Sequence, residues 1–69
     1  RDERGESLAH ALMGLKLDYR IVIVLKYFLE LSCSEISDIV RVPEKTVKSR
    51  LFTARHQLRD ILIRQGYAR

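Results

Sequence analysis

Ser32-Cys33-Ser34-Glu35-Ile36-Ser37-Asp38-Ile39-Val40-Arg41-Val42-Pro43-Glu44-Lys45-Thr46-Val47-Lys48-Ser49-Arg50-Leu51 is the stretch that decides the fold. Ser32 and Glu35 have the S-x-x-E spacing of a capping box, in which each side chain satisfies a backbone donor left unpaired at a helix start. Leu31 and Ile36 stand where a hydrophobic staple closes across that start. Pro43 suits the first position of the next helix, where a missing N–H costs nothing. Only a tight corner fits between the two. Two short helices joined in this way form a helix-turn-helix, whose second helix is shaped to enter a DNA major groove.

Charge separates along the chain in the same sense. Residues 1–42 carry six Lys+Arg and seven Asp+Glu, a net of −1, whereas residues 43–69 carry seven Lys+Arg against Glu44 and Asp60, a net of +5. Together they give the +4 of the whole chain, with a pI near 9.6. A basic balance gathered on one helix favours a polyanionic partner.

Sixty-nine residues are expected to form one domain, 1–69, with a small core. The single Cys excludes an internal disulfide and fits a reducing compartment. No apolar run reaches the roughly 18–20 residues of a membrane span, and no signal peptide is visible, so a membrane is not among the expected partners. The first residue is Arg1 rather than Met, as expected of an excised fragment.

The periodicity predicts an all-α fold of four helices. Residues 1–6 are charged and expected to fray. Leu8, Leu12 and Leu15 recur at helical spacing and predict a helix over about 7–15. Asp18 is a candidate N-cap for a second helix over 18–29, although its run Ile21-Val22-Ile23-Val24-Leu25 also suits a strand. A lone strand would have no partner, which favours helix. The third helix is predicted over 33–40, with Ile36, Ile39 and Val40 inward. The fourth starts at 43 or 44 and runs to about 64, stopped by Gly66.

On a helical wheel of the fourth helix, Val47, Leu51, Ala54 and Leu58 fall within about 60° of each other and form the buried stripe. The opposite side carries Lys45, Ser49, Phe52, Thr53 and His56, with Lys48 and Arg59 beside them and Arg50 and Arg55 on the flanks. Short groups at a crest can touch base edges, and long cations at its sides can reach phosphates. Phe52 stands on the polar side, where contact with a thymine methyl would use it and packing against a neighbouring segment is the alternative.

From Arg20 to Leu58 the chain resembles region 4 of bacterial RNA polymerase sigma factors, in particular the extracytoplasmic-function group. The resemblance is carried by Arg20-Ile21-Val22, Leu25-Lys26-Tyr27, Leu31-Ser32, Glu35-Ile36-Ser37, Ile39-Val40, Pro43, Thr46-Val47-Lys48-Ser49-Arg50-Leu51 and Ala54-Arg55…Leu58. It implies a helix-turn-helix domain of winged-helix-like layout without a wing, which recognises the −35 element of promoter DNA. Lys48, Ser49, Phe52 and Thr53 match base-reading positions. Arg50 and Arg55 match positions that contact the backbone or brace the motif, and a pair between Arg50 and Glu35 is one such brace. Thr46, at the helix start, can donate to a phosphate together with the free N–H groups there.

The resemblance further implies docking to the flap of the polymerase β subunit and capture by an anti-sigma factor. Val22, Leu25, Tyr27, Phe28 and Leu29 are the candidate surface, because they span more of the second helix than a small core can cover. This face is expected to act independently of the DNA face, so that charge at Tyr27 would affect polymerase association alone. The chain departs from the family pattern at Glu30, Arg41 and Lys45, where Gly is common, at Lys16, where Pro is common, and at Ser37, where Ala is usual. Arg41 would occupy the left-handed corner of the motif.

An enzyme would have to draw on Cys33, His10, His56 and scattered carboxylates. These have no zinc-ligand spacing, no glycine-rich phosphate loop accompanies them, and no pair of acids is arranged for catalysis. No catalytic residue, cofactor or metal is assigned. A protein-docking module, or the output domain of another helix-turn-helix regulator, is the remaining alternative.

Overall fold

The computed structural model describes residues 3–66 of the chain, with the side chains of 8–66. Four α-helices appear in order: α1 (Glu3–Met13), α2 (Leu17–Ile23), α3 (Cys33–Val40) and α4 (Glu44–Arg64). A π-helical turn over Val24–Phe28 prolongs α2. No strand is present among the described residues. Helix α4 is the longest and forms the spine, with α1, α2 and α3 all packed along it.

The core is built mainly from α2 and α4, with one residue each from α3 and the α1–α2 connection. Leu15, Val22, Ile23, Ile36, Val47, Leu51 and Ala54 form the buried cluster, with Leu12, Leu25, Leu31, Val40, Leu58 and Ile61 half-buried around it. The predicted stripe Val47, Leu51, Ala54 and Leu58 is the inward face of α4. Leu31 and Ile36 enter the same core from either side of the α3 start, where the staple places them.

The first half of the chain differs from its expected layout. Helix α1 begins at Glu3, inside the stretch expected to fray, and ends at Met13 rather than 15. Arg1 and Asp2 lie outside the described residues. The Gly14 and Leu15 amides turn back onto the Ala11 and Leu12 carbonyls at 3.0 and 3.1 Å, tightening the last turn and swinging Leu15 into the core from the connection. A Cβ at Gly14 would sit 3.1 Å from Ile61 Cδ1 and 3.3 Å from the Ala11 carbonyl oxygen, so the glycine eases the close approach of α4 to this connection. Helix α2 is capped by Lys16, not Asp18. Asp18 instead occupies the first turn, where a carboxylate opposes the positive end of the helix dipole.

Arg20 secures this junction. Its Nε donates to the Leu12 carbonyl and its Nη2 to the Leu15 carbonyl, both at 3.0 Å. The Leu12 carbonyl, which already accepts the Leu15 N–H, and the Leu15 carbonyl in the connection thereby gain a charged donor.

The α3–α4 corner forms largely as its sequence directs, except that Pro43 takes the N-cap of α4 and not its first helical position. The Glu35 N–H donates to Ser32 Oγ at 3.0 Å, and the Ser32 N–H donates to Glu35 Oε1 at 2.8 Å, completing the capping box. Arg41 caps α3 in the left-handed region at φ 62° and ψ 44°. Ser37 Oγ then donates to the Val42 carbonyl at 2.6 Å, tying α3 to the corner that follows it. The usual Ala at this position would leave that bond unmade. Pro43 sits one residue before α4 in extended conformation, and its carbonyl accepts the N–H groups of Thr46 and Val47. One inward residue of α3 was misplaced by the periodicity: Ile39 is 56% exposed. In so short a helix, Cys33, Ile36 and Val40 meet the core side.

Candidate nucleic-acid interface

Helix α4 carries six cations and two acids, and its apolar stripe consumes none of the cations. Lys45, Lys48, Ser49, Phe52, Arg55 and His56 are exposed, while Thr46, Arg50 and Thr53 are half-buried. The DNA-facing set predicted from sequence therefore lies on accessible or partly accessible surface of one helix. Thr46 stands in the first turn of α4, near the free amides of the helix start.

Several members of the set have neighbours that the sequence did not reveal. Lys48 Nζ lies 3.7 Å from Glu44 Oε2, an exposed i,i+4 pair of the kind that contributes about 0.3–0.5 kcal/mol. Such a pair is weak enough for a phosphate to displace. Phe52 is 60% exposed, and its ring meets that of His56 at 4.4 Å between centroids with a 51° tilt. It packs on the next turn of its own helix, not on another segment. Arg55 and Arg59 flank the two rings around a shallow surface depression, so Arg59, which the helical wheel sets beside this crest without a role, joins the candidate site. Its spacing of i+4 from Arg55 and i+7 from Phe52 was the available signal.

The two flanking arginines have different surroundings. Arg50 does not form the expected brace with Glu35, whose carboxylate is committed to the capping box. It lines a groove with Asp18, Ile21, Ile39 and Val40, between α2, α3 and α4. Arg55 Nη1 donates to Tyr27 Oη at 2.8 Å, across twenty-eight residues of sequence.

The candidate partner surface is reduced and shifted by the structure. Val22 is fully buried and cannot meet a partner, because α2 turns it directly onto α4. Leu25 is half-buried against the core. Tyr27, Phe28 and Leu29 are exposed at the π-turn and its exit. Because Tyr27 also bonds Arg55, this candidate surface and the exposed side of α4 are joined by a side-chain contact.

The comparison with known families decides what this basic helix-turn-helix is. The pattern of the family described as Sigma-70, region 4 matches residues 5–58, which include the capping box, the corner and the exposed crest of α4. The chain belongs to the sigma-70 region 4 family. It is also similar to the ECF RNA polymerase sigma factor SigW of Bacillus subtilis (strain 168), at 42% identity over 60 residues covering 87% of this chain and 32% of that protein. It thus spans about a third of the length of this curated relative. The region 4 match ends at residue 58, six residues before α4 does. Those last residues carry Ile61 onto Gly14, so the end of the helix closes the α1–α2 junction of this sigma region 4 domain.

Among the described residues, no group of His, Cys, Asp and Glu is placed to hold a metal ion, and no helix is long and apolar enough to cross a membrane.

Proposed function

We propose that this chain is the promoter-reading end of an extracytoplasmic-function sigma factor, which binds the −35 element and directs RNA polymerase to initiate transcription. The observation that carries this reading is the exposed crest of α4, basic at its sides and short or aromatic at its top, held out by a closed helix-turn-helix corner. Lys48, Ser49, Phe52 and Thr53 read bases, with His56 beside them. Lys45, Thr46, Arg50 and Arg55 engage phosphates. The polymerase β flap, or an anti-sigma helix competing with it, docks through Tyr27, Phe28 and Leu29 with Leu25 beneath. The protein acts in the bacterial cytoplasm without cofactor, metal or membrane, as a targeting module and not as an enzyme.

Selection from a randomised duplex pool tests this. A preferred sequence is expected to emerge, and log K for it is expected to fall with log salt at a slope of about −3 for the cations Lys45, Arg50 and Arg55. Affinity independent of salt would remove the groove geometry. Binding only to a flap peptide would favour the docking-only alternative, for which the exposed Tyr27-Phe28-Leu29 run is the supporting observation.

A further inference from the structure

We infer that Tyr27 is a positioning residue for DNA binding, fixing the Arg55 guanidinium against the phosphate backbone from outside the recognition helix. The inference rests on the DNA-binding reading of α4 and extends it to a residue of the neighbouring face.

Geometry gives Tyr27 this place. The π-turn over Val24–Phe28 carries more residues per turn, closing with the Leu29 N–H on the Val24 carbonyl at 3.2 Å. Tyr27 stands on this turn at the surface, 49% exposed, with its hydroxyl 2.8 Å from Arg55 Nη1. π-turns of this kind occur often at functional sites.

Arg55 gains a defined direction from the contact. An exposed arginine otherwise samples many rotamers, and ordering it on a phosphate costs conformational entropy. A phenol oxygen that accepts one N–H restricts the side chain before DNA arrives and leaves its remaining donors for an anion. Unlike a carboxylate, the neutral phenol does not cancel the charge that the phosphate needs. Phe52, His56 and Arg59 border the same guanidinium on α4, so the oriented group stands at the edge of the base-reading crest.

The test is a double-substitution cycle in the full chain, read by affinity and salt slope on random-sequence duplex DNA. Y27F removes one oxygen from a half-exposed ring and is expected to weaken binding about threefold to fivefold, leaving the thermal midpoint and salt slope nearly unchanged. R55A is expected to weaken binding about tenfold and make the slope shallower by about 0.9. In the R55A background, Y27F is expected to change affinity by less than about 1.5-fold, because the tyrosine acts only through the arginine. Independent, multiplying losses would overturn the inference, as would unchanged affinity in Y27F. Failure of the underlying reading looks different. If R55A binds normally while K45A is weakened, the positioning role falls and the DNA reading stands; if the parent chain binds no duplex at low salt, both fall.

Discussion

The α3–α4 corner and the α1–α2–π-turn segment contribute comparably to one core, yet they are built on opposite principles. The corner is specified locally. Its capping box spans three residues, its left-handed residue follows directly on α3, and its braces reach at most five residues along the chain. The segment before it is specified at a distance. Leu15 is turned inward from a connection that Arg20 secures, and Gly14 is set by Ile61 nearly fifty residues later. Tyr27 is placed against Arg55 by a π-turn. Local rules suffice where each backbone group is satisfied by a neighbour in sequence, and fail where a tertiary contact selects among helical forms.

The largest effect expected on either region is shared by both. Leu51 lies in the core where α4 meets its neighbours, so L51A is expected to lower stability by about 2–5 kcal/mol in denaturant unfolding. Both regions are then expected to melt in one transition. Separate transitions would show that the corner and the junction are energetically independent units.

Arg20 isolates the non-local half. R20A removes two charge-assisted bonds to the Leu12 and Leu15 carbonyls, at an expected cost of about 1.5–3 kcal/mol for partly buried acceptors. Hydrogen exchange should quicken first in α1 and its connection, while amides of α3 and early α4 stay protected. Uniform acceleration along the chain would mean that the junction and the corner open together.

On the DNA side, K48A and F52A are each expected to lose about 1–3 kcal/mol against the selected element and much less against random duplex. Lys48 must leave Glu44 to act, and Phe52 must keep its ring accessible beside His56. Equal losses on every sequence would reassign both side chains to the backbone or to folding.

These contrasts explain what was legible in the chain. Ser32, Glu35, Arg41 and Pro43 announce the motif through backbone chemistry that acts within a few residues. The inward stripe of α4 follows from periodicity because the helix is long enough for the pattern to repeat. The ends of α1 and the cap of α2 were misread because Gly14 and Arg20 act through partners on other turns. Val22 is read as surface because the apolar run over 21–29 exceeds what a small core covers, and only the packing of α2 on α4 shows which of its residues are buried. Arg50 and Arg55 were both assigned to flanks of α4, but only three-dimensional packing gives one a groove and the other a phenol.

The smallest expected effect is the sharpest comparison of the two regions, because each contains one non-glycine residue at positive φ. Glu30 lies at φ 57° just beyond the π-turn, and Arg41 at φ 62° in the corner. Left-handed backbone costs an L-residue roughly 1–2 kcal/mol, whereas Gly adopts it freely at the expense of a more flexible unfolded chain. E30G and R41G are therefore each expected to stabilise the domain by about 0.5–1 kcal/mol. Their effects on DNA should diverge. R41G removes a cation near the start of α4 and is expected to weaken random-duplex binding slightly, whereas E30G removes a carboxylate near the Tyr27 face and is not. A stability gain confined to Arg41 would mean that the exit of the π-turn is held in place by its tertiary contacts, with no strain left there for glycine to relieve.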